Sequence, residues 1–305
     1  MYPRWIWRVA ALPGTLWLAV FFLVAFYAVI SVAFGNEDTL QQPVPFWNPL
    51  DWNVGYVIDQ AREIWSGSAV LHVFLRTIKY VAIAIALSLA IGFPVAYFAA
   101  RHAGRWRGIV LLLLIIPFWI NYLMRMIAWQ SLLAPDGYGT RLFHLTGFEW
   151  LFMQIGLLET RGGWLQGQSS AVVLALVYGY VPYLVLPLYA ALDRIDGRTI
   201  EAARDLGATP VSAFARVTLP QAVPGLLAGL VLITLPMFGD YYTPDLISTT
   251  TATCMIGNQI DGRVNGGSEK VSGAVLTVFL SLFLLVLMVY YLRQTRSAGR
   301  EVEAE

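Results

Sequence analysis

The sequence is poor in the residue types that build soluble catalytic sites and metal sites. Charged residues make up 13% of its 305 residues, whereas soluble domains have about 25%. Cys254 is the single cysteine, so an intrachain disulfide is excluded. The three histidines, His72, His102 and His144, are scattered, and with one cysteine they do not form a zinc-binding pattern. We therefore expect no metal ion and no cofactor.

Two further scarcities exclude other functions. The chain has two lysines, Lys79 and Lys270, which follow Ile78 and Glu269 rather than a glycine. A Walker A loop needs Gly-Lys followed by Ser or Thr, so the chain cannot bind ATP through that motif. Its net charge of +1 gives no electrostatic basis for binding nucleic acid. If the protein works with ATP, a separate subunit must supply the ATPase.

Apolar sequence is what the chain has in excess, at 58% of its residues. A membrane-spanning helix needs roughly 20 apolar residues, and six stretches qualify: about 11–34, 78–100, 108–133, 171–192, 224–247 and 272–292. The sequence thus predicts an all-α, polytopic membrane protein with six transmembrane helices in a single domain over 1–305. The first run is longer than the core of a signal peptide, so we expect it to be retained.

Basic residues are unevenly distributed between the connecting segments. If the N-terminus is cytoplasmic, twelve arginines fall inside and seven basic residues fall outside, in longer loops, while Arg125 lies within a span. The inside set is Arg4, Arg8, Arg101, Arg105, Arg107, Arg194, Arg198, Arg204, Arg216, Arg293, Arg296 and Arg300. The outside set is Arg62, Arg76, Lys79, Arg141, Arg161, Arg263 and Lys270. This contrast follows the positive-inside rule and predicts that both termini are cytoplasmic.

The cytoplasmic segment 193–223 reads as a helix–glycine–helix elbow. Thr199 is a candidate N-cap for a short helix that Gly207 ends in the left-handed conformation. Thr209 and Pro210 then start a second helix, which Leu219-Pro220 would close. The first helix has one apolar face with small residues and one charged face, formed by Glu201, Arg204 and Asp205. Two interpretations stay open, docking in a groove of a partner or an ordinary helix on the membrane surface.

The same segment carries a motif with a specific spacing. Glu201-Ala202-Ala203 is followed after three residues by Gly207, and Val217-Thr218-Leu219-Pro220 ends the pattern. This resembles the EAA motif of ABC importer permeases, and it precedes the last two spans as that motif does. The resemblance implies a coupling helix that contacts an ATPase dimer through Glu201, Ala202, Ala203, Asp205, Gly207, Leu219 and Pro220.

Two other stretches resemble the permeases of spermidine/putrescine-type importers, namely IPFWINYLMRMIAWQSLLAPDG at 116–137 and FGDYYTPDLI at 238–247. The resemblance implies the MetI-like transmembrane domain of a type I ABC importer in the bacterial inner membrane, which performs no chemistry itself. It also implies three partners besides membrane lipid: the ATPase, a second homologous permease and an extracytoplasmic substrate-binding protein. The cargo would be a small cation, and other small solutes stay open.

Asp240 is the first candidate for the substrate pathway. A buried carboxylate is costly in lipid, so it should face a cavity, a cation or another protein group. A polyamine would suit it through charge pairing, with cation–π contacts from nearby aromatic rings. The other candidates are Trp119, Asn121, Tyr122, Arg125, Trp129, Tyr241 and Tyr242. The tyrosines of the fourth span could also supply aromatic walls, namely Tyr178, Tyr180 and Tyr183.

The alternatives for these residues stay open. Arg125 needs a partner within its span, so Asp240 and Arg125 form a structural ion pair, line the pathway, or do both in different states. Asn121 is expected to hydrogen-bond across helices rather than to contact substrate.

Two rival functions follow from other principles. A stand-alone secondary transporter would have paired repeats with broken helices. A membrane-embedded enzyme would need a nucleophile with its base, or a metal cluster. Neither pattern is evident in the sequence.

Overall fold

The structure is a computed structural model that describes residues 4–38, 42–66, 68–154, 158, 163–248, 250–266 and 269–304. Arg161, counted above with the outer basic residues, lies outside these ranges, and the side chains of Arg4, Arg8, Arg296 and Arg300 are likewise not described. The chain divides into two compact units. One consists of residues 1–71 and 259–283, and the other of residues 72–258 and 284–305. The expectation of a single permease domain over 1–305 stays a prediction.

The described residues are almost entirely helical, as expected. The helices are α1 (Arg4–Ala33), α2 (Val54–Ser66), α3 (Ser68–Arg101), α4 (Arg107–Ile115), α5 (Tyr122–Leu133), α6 (Tyr138–Leu145), α7 (Phe148–Gln154), α8 (Ser169–Arg194), α9 (Gly197–Asp205), α10 (Pro210–Ala213), α11 (Leu219–Gly239), α12 (Tyr242–Ile247), α13 (Ile256–Asn265) and α14 (Lys270–Ala304). Strands β1 (Asn36–Glu37) and β2 (Pro43–Val44) form a small antiparallel hairpin. Helix α2 lies between the first and second predicted spans, and α6 and α7 lie between the third and fourth.

Within the described residues, five helices are long and apolar enough to cross a membrane: Val9–Ala33, Ala69–Arg101, Ser169–Arg194, Pro210–Gly239 and Lys270–Gln294. A sixth candidate is the pair Gly104–Trp119 and Tyr122–Leu133, which is bent by 93°. The prediction of six spanning segments thus agrees in number if the bent pair is one span. The helix of the second candidate span, α3, begins at Ser68, ten residues before the predicted start of that span at 78.

The predicted span over 108–133 is not a continuous helix. Pro117 lies in a 3-10 turn over Ile116–Trp119, and Ile120 has an extended backbone with φ −87° and ψ 132°. Asn121 then caps α5, because its side-chain oxygen accepts a hydrogen bond from the Leu123 N–H at 2.9 Å. Proline and the extended residue together end one helix and begin another.

The predicted span over 224–247 has different bounds. Helical structure runs without a break from Pro210 to Gly239, with one π-helical turn at Phe214–Thr218. In a regular helix the ring of Pro220 would meet the carbonyl group four residues earlier, and the wider π turn avoids this. Leu219-Pro220 therefore does not close the second helix of the elbow. At the other end, Asp240 has an extended backbone and separates α11 from α12.

The core of the second unit is built around α8. Leu176, Leu184 and Leu188 are fully buried on this helix, and α11 packs along it through two glycines. A Cβ atom at Gly225 would lie 2.2 Å from the Ala191 Cβ, and one at Gly229 would lie 2.8 Å from the Leu184 Cδ1. Both glycines therefore allow a close approach between helices.

The first unit has an aromatic centre beside the β-hairpin. The ring of Trp52 stacks on Phe34 with centroids 4.7 Å apart, and its indole N–H donates to the Phe46 carbonyl oxygen at 2.9 Å. Tyr27 lies 6.3 Å from Trp52. These contacts tie the end of α1 to the segment that leads into α2.

Candidate functional site

The elbow at 196–213 is the first of two candidate sites. Asp196, rather than Thr199, caps α9, because its carboxylate accepts from the Arg198 N–H at 3.0 Å. Gly207 has φ +88°, as predicted, and ends α9. The Ala208 N–H donates to the Ala203 carbonyl oxygen at 3.0 Å, and the Gly207 N–H donates to Arg204 at 2.9 Å. These two hydrogen bonds form a Schellman motif, which satisfies carbonyl groups at the end of the helix.

The second half of the elbow starts as the sequence predicts. The Thr209 hydroxyl accepts from the Ser212 N–H at 3.2 Å, and Pro210 takes the first helical position. Phe214 then fixes the π turn against α3, edge-on to Phe93 and Tyr97 at 5.7 and 5.6 Å. Specific contacts thus hold the elbow on both sides of Gly207.

The elbow exposes two large apolar side chains among charged ones. Leu206 is 90% exposed and Val211 is 77% exposed, one on each side of Gly207. Glu201, Ala202 and Asp205 are exposed beside them, whereas Ala203 is half-buried. Of the predicted coupling residues, Leu219 and Pro220 lie apart from this surface, in the continuous helix beyond the π turn.

The second candidate site surrounds Asp240, which is 6% exposed. Its Oδ2 accepts three hydroxyl groups, from Tyr122 at 2.8 Å, Tyr180 at 3.2 Å and Thr243 at 2.6 Å. Its Oδ1 accepts the Thr243 N–H, in the first turn of α12, at 3.0 Å. The carboxylate therefore joins α5, α8, α11 and α12, and its charge is satisfied by four donors. We call these four residues the Asp240 cluster.

Two glycines make room for the Asp240 cluster. A Cβ atom at Gly179 would lie 3.0 Å from the ring of Tyr122. A Cβ atom at Gly257 would lie 2.8 Å from the Gly239 carbonyl oxygen and 3.0 Å from that of Asp240. The start of α13 thus packs directly on the backbone that carries the carboxylate. Any larger side chain at these positions would displace a member of the cluster or its support.

Asn258 joins the start of α13 to the neighbouring helix α12. Its amide nitrogen donates to the Tyr241 carbonyl oxygen at 2.8 Å and to the Asp245 carboxylate at 2.7 Å. Arg76 of α3 holds the preceding loop, since its guanidinium donates to the carbonyl oxygens of Ala252 and Cys254. The Asp240 cluster is consequently backed by a fixed shell.

Arg125 lies beside the Asp240 cluster without an ion pair to it. The guanidinium is 5% exposed and stacks over the rings of Phe118 at 4.6 Å and Tyr122 at 5.1 Å. The Nε and Nη1 atoms of Arg125 have no hydrogen-bond partner among the described residues. The ion pairs found in the described part of the chain do not include one between Arg125 and Asp240. The structural ion pair that the sequence suggested is therefore not formed in this conformation.

The other candidate pathway residues are dispersed. Trp119 is 77% exposed at the bend, and Asn121 caps its own helix rather than bridging two helices. The ring of Trp129 contacts Tyr178 edge-on at 5.3 Å. The rings of Tyr241 and Tyr242 contact each other at 4.0 Å. Of the eight candidates, the structure brings Tyr122 and Asp240 into direct contact, with Arg125 stacked on Tyr122.

Thr243 is the member of the cluster that the sequence analysis missed. The signal was present as the spacing Asp240-x-x-Thr243, which is that of a side chain capping the N–H three residues later. It was hidden because the segment was assigned to a continuous span. Within the described ranges, no group of three or more His, Cys, Asp or Glu residues could hold a metal ion.

Comparison with known families adds a match over most of the chain. The family model for the inner membrane component of binding-protein-dependent transport systems matches residues 90–298. The spermidine/putrescine transport system permease protein PotB of Haemophilus influenzae is 29% identical, over 95% of this chain and 94% of that protein. PotB of Escherichia coli is 32% identical over 77% and 81%. The inner membrane ABC transporter permease protein YdcU of Escherichia coli is 30% identical over 74% and 71%.

Solved structures of similar fold are chains of ABC transporters. A transporter involved in the import of the acidic polysaccharide alginate aligns with a TM-score of 0.66 at 18% identity, over 96% of both chains. The MetNI methionine ABC transporter aligns with a TM-score of 0.52 at 18% identity, over 75% of this chain and 95% of that one. These likenesses establish the MetI-like fold.

Proposed function

The chain belongs to the family of inner membrane components of binding-protein-dependent transport systems, and from this premise we propose that it is the permease subunit of an ATP-driven polyamine importer. It is a multi-pass protein of the inner membrane. The proposal rests on one observation above all. The EAA segment, 201–220 in this chain, begins in the elbow, where two apolar side chains, Leu206 and Val211, are exposed.

The elbow suits docking to an ATPase subunit. Exposed apolar residues rimmed by charge are typical of a helix that inserts into a groove of a partner. The Schellman motif and the Thr209 cap hold the two helices at a fixed angle, so a displaced elbow carries α11 with it. In our proposal Glu201, Ala202, Ala203, Asp205 and Gly207 form the contact with the ATPase, whereas Leu219 and Pro220 set the connection to α11.

A cationic cargo suits the Asp240 cluster. A carboxylate with three hydroxyl groups can receive an ammonium group, because each hydroxyl can turn from donor to acceptor. The rings of Tyr122 and Tyr180 add faces for cation–π contact. The names of the PotB relatives, spermidine/putrescine permeases, make polyamines the first cargo to test. A permease for another small solute is the second candidate, since the likeness to the alginate importer extends over the whole fold.

The importer would contain further chains. We propose a second homologous permease that forms the pathway with this one, an ATPase dimer below and a substrate-binding protein outside. The arrangement of basic residues supports cytoplasmic termini and a cytoplasmic elbow. In such an importer this chain hydrolyses no ATP, because it has no Walker A sequence.

The docking proposal is tested by a pair of matched substitutions. Leu206→Glu in the assembled importer should reduce co-purification of the ATPase and uptake by at least tenfold, because it places a charge at the apolar contact. Leu50→Glu is the control, since Leu50 is 91% exposed but lies far from the elbow in sequence. Membrane insertion of both variants is measured by immunoblot. Normal ATPase recovery with Leu206→Glu would exclude docking through the elbow.

The cargo is tested separately in proteoliposomes that contain the complete importer and its binding protein. We expect spermidine and putrescine to stimulate ATP hydrolysis, and Asp240→Asn to weaken uptake of both. Stimulation by an uncharged or anionic solute, with none by polyamines, would reject the polyamine cargo but leave the docking result intact.

A further inference from the structure

We propose that Arg125 is a tethered counter-ion for Asp240, which Tyr122 keeps apart from the carboxylate in this conformation. In another conformation of the transport cycle, Arg125 would pair with Asp240 directly. The inference deepens the proposed function, on which it rests, because it assigns a role to a residue beside the proposed cation site.

The first argument is an imbalance between two neighbouring charges. Asp240 accepts four hydrogen bonds, whereas two N–H-bearing nitrogens of Arg125, Nε and Nη1, are buried and have no partner among the described residues. A buried charge without hydrogen bonds is costly. Two aromatic rings compensate for part of that cost. Donors are therefore concentrated on the anion while the cation is left in need of an acceptor.

The second argument is the place of Tyr122 between the two charges. Its hydroxyl donates to Asp240 at 2.8 Å, and its ring receives Arg125 at 5.1 Å. Arg125 lies three residues after Tyr122 in α5, so both side chains leave the same side of the helix. If Tyr122 moves away from Asp240, Arg125, which stacks on the Tyr122 ring, is a cation that can take its place.

The third argument is that this movement has a favourable end state. The Tyr122 hydroxyl also lies within hydrogen-bond distance of the Thr243 hydroxyl. It can donate its single hydrogen there once it no longer donates to Asp240, which keeps Tyr122 hydrogen-bonded when Asp240 changes partner. The guanidinium would then satisfy its free N–H groups on a carboxylate, the acceptor it pairs with best. An ammonium cargo at Asp240 would be displaced in the process, so Arg125 would promote release and limit the site to cations that compete with it.

The test is a double-mutant cycle between Arg125→Gln and Asp240→Asn in the complete importer. The unfolding temperature and the ATPase rate are measured for the nucleotide-free complex and for the complex trapped with ATP and vanadate. We expect the two substitutions to be coupled by about tenfold or more in one state and to be additive in the other. Additivity in both states, or equal coupling in both, would overturn the proposal.

Two further variants test whether the coupling is specific to Asp240 and whether it depends on Tyr122. Asp245→Asn replaces Asp240→Asn in a control cycle, because Asp245 lies on α12 and accepts a hydrogen bond from Asn258; it should be additive with Arg125→Gln in both states. Tyr122→Phe keeps the ring below Arg125 and removes the hydroxyl from Asp240. In the Tyr122→Phe background, Arg125→Gln and Asp240→Asn should be coupled also in the state in which they are additive in the wild type. If they stay additive in that state, the role given to Tyr122 is contradicted. Since the unfolding temperature needs no cargo, the cycle remains decisive even if polyamines are not transported.

Discussion

At the scale of the residue, Asp240 depends on hydroxyl groups rather than on a basic side chain. Tyr122, Tyr180 and Thr243 surround one oxygen atom, and Thr243 also supplies its backbone N–H to the other. Hydrogen bonds to a charged group stabilise a protein by about 1.5–3 kcal/mol each. The position of the carboxylate is consequently set by neutral donors, which keep its negative charge available to a cation.

Thr243→Val should lower the stability of the protein and weaken transport. The valine keeps the volume and the backbone N–H but removes the hydroxyl that donates to Asp240 at 2.6 Å. We expect a loss of roughly 1.5–3 kcal/mol, measured as a lower unfolding temperature of the purified importer.

The control for this substitution is Thr277→Val on α14. The Thr277 hydroxyl bonds the carbonyl group of Gly273 in its own helix, which is satisfied by the helix without it. The unfolding temperature of this variant should be close to that of the wild type. Equal losses at both positions would mean that the Asp240 cluster adds nothing specific.

That Asp240 faces protein groups could be predicted from the cost of a charge in lipid, but which groups it meets could not. The sequence offered Arg125 as one possible partner, because Arg125 also needs a partner within its span. The break at Pro117–Asn121 redirects α5, and the end of α11 at Gly239 places Asp240 between helices. Which donors meet the carboxylate depends on these two irregularities of the backbone.

At the scale of the element, the contact between α8 and α11 is the most extensive between helices of the second unit. Gly225 and Gly229 lie on one face of α11, four residues apart, against Leu184, Pro187 and Ala191 of α8. In a membrane, helices associate through such close packing because lipid supplies no hydrophobic drive between them.

Gly225→Ala should destabilise this contact, because its new Cβ would lie 2.2 Å from the Ala191 Cβ and 2.9 Å from the Pro187 carbonyl oxygen. We expect a loss of roughly 1–3 kcal/mol from overpacking, seen as a lower unfolding temperature. Gly239→Ala in the same helix is the matched control, because nothing lies within 4 Å of a Cβ there. If Gly239→Ala loses as much stability as Gly225→Ala, the loss at Gly225 does not come from the contact between the helices.

The membrane-spanning helices could be predicted from the length of the apolar stretches. The breaks and bends within them were much harder to predict. The fourth span agrees to within two residues at each end, whereas the third is bent by 93°. Pro117 was visible in the sequence, but prolines also occur inside helices that continue: Pro182 and Pro187 lie within α8. Whether a proline breaks a helix depends on what its neighbours can cap, here Asn121.

At the scale of the whole molecule, burial differs strongly between the candidate spans. In the most apolar part of α8, 61% of the residues are buried, but the figures are 11% for α1 and 17% for α14. Such apolar surfaces suit lipid or a second permease subunit. The arrangement of basic residues, rather than burial, carries the proposed orientation.

That orientation can be tested by labelling single cysteines in whole cells. Burial raises the pKa of the Cys254 thiol, so its thiolate is scarcer at neutral pH, and Cys254→Ser removes it altogether. In that background Leu206→Cys should resist a membrane-impermeant maleimide from outside, whereas Leu50→Cys should react. The opposite pattern in permeabilisation-controlled samples would reverse the proposed topology.

The helical run from Pro210 to Gly239 also has a mechanical consequence. Its 30 residues correspond to a rod of roughly 45 Å, with the elbow at one end and Asp240 at the other. If the rod tilts by about 10° around the elbow, its far end moves by roughly 8 Å, several times the length of a hydrogen bond. The run is thus a lever arm, which would magnify a small rocking of the elbow into a change of partners at the carboxylate.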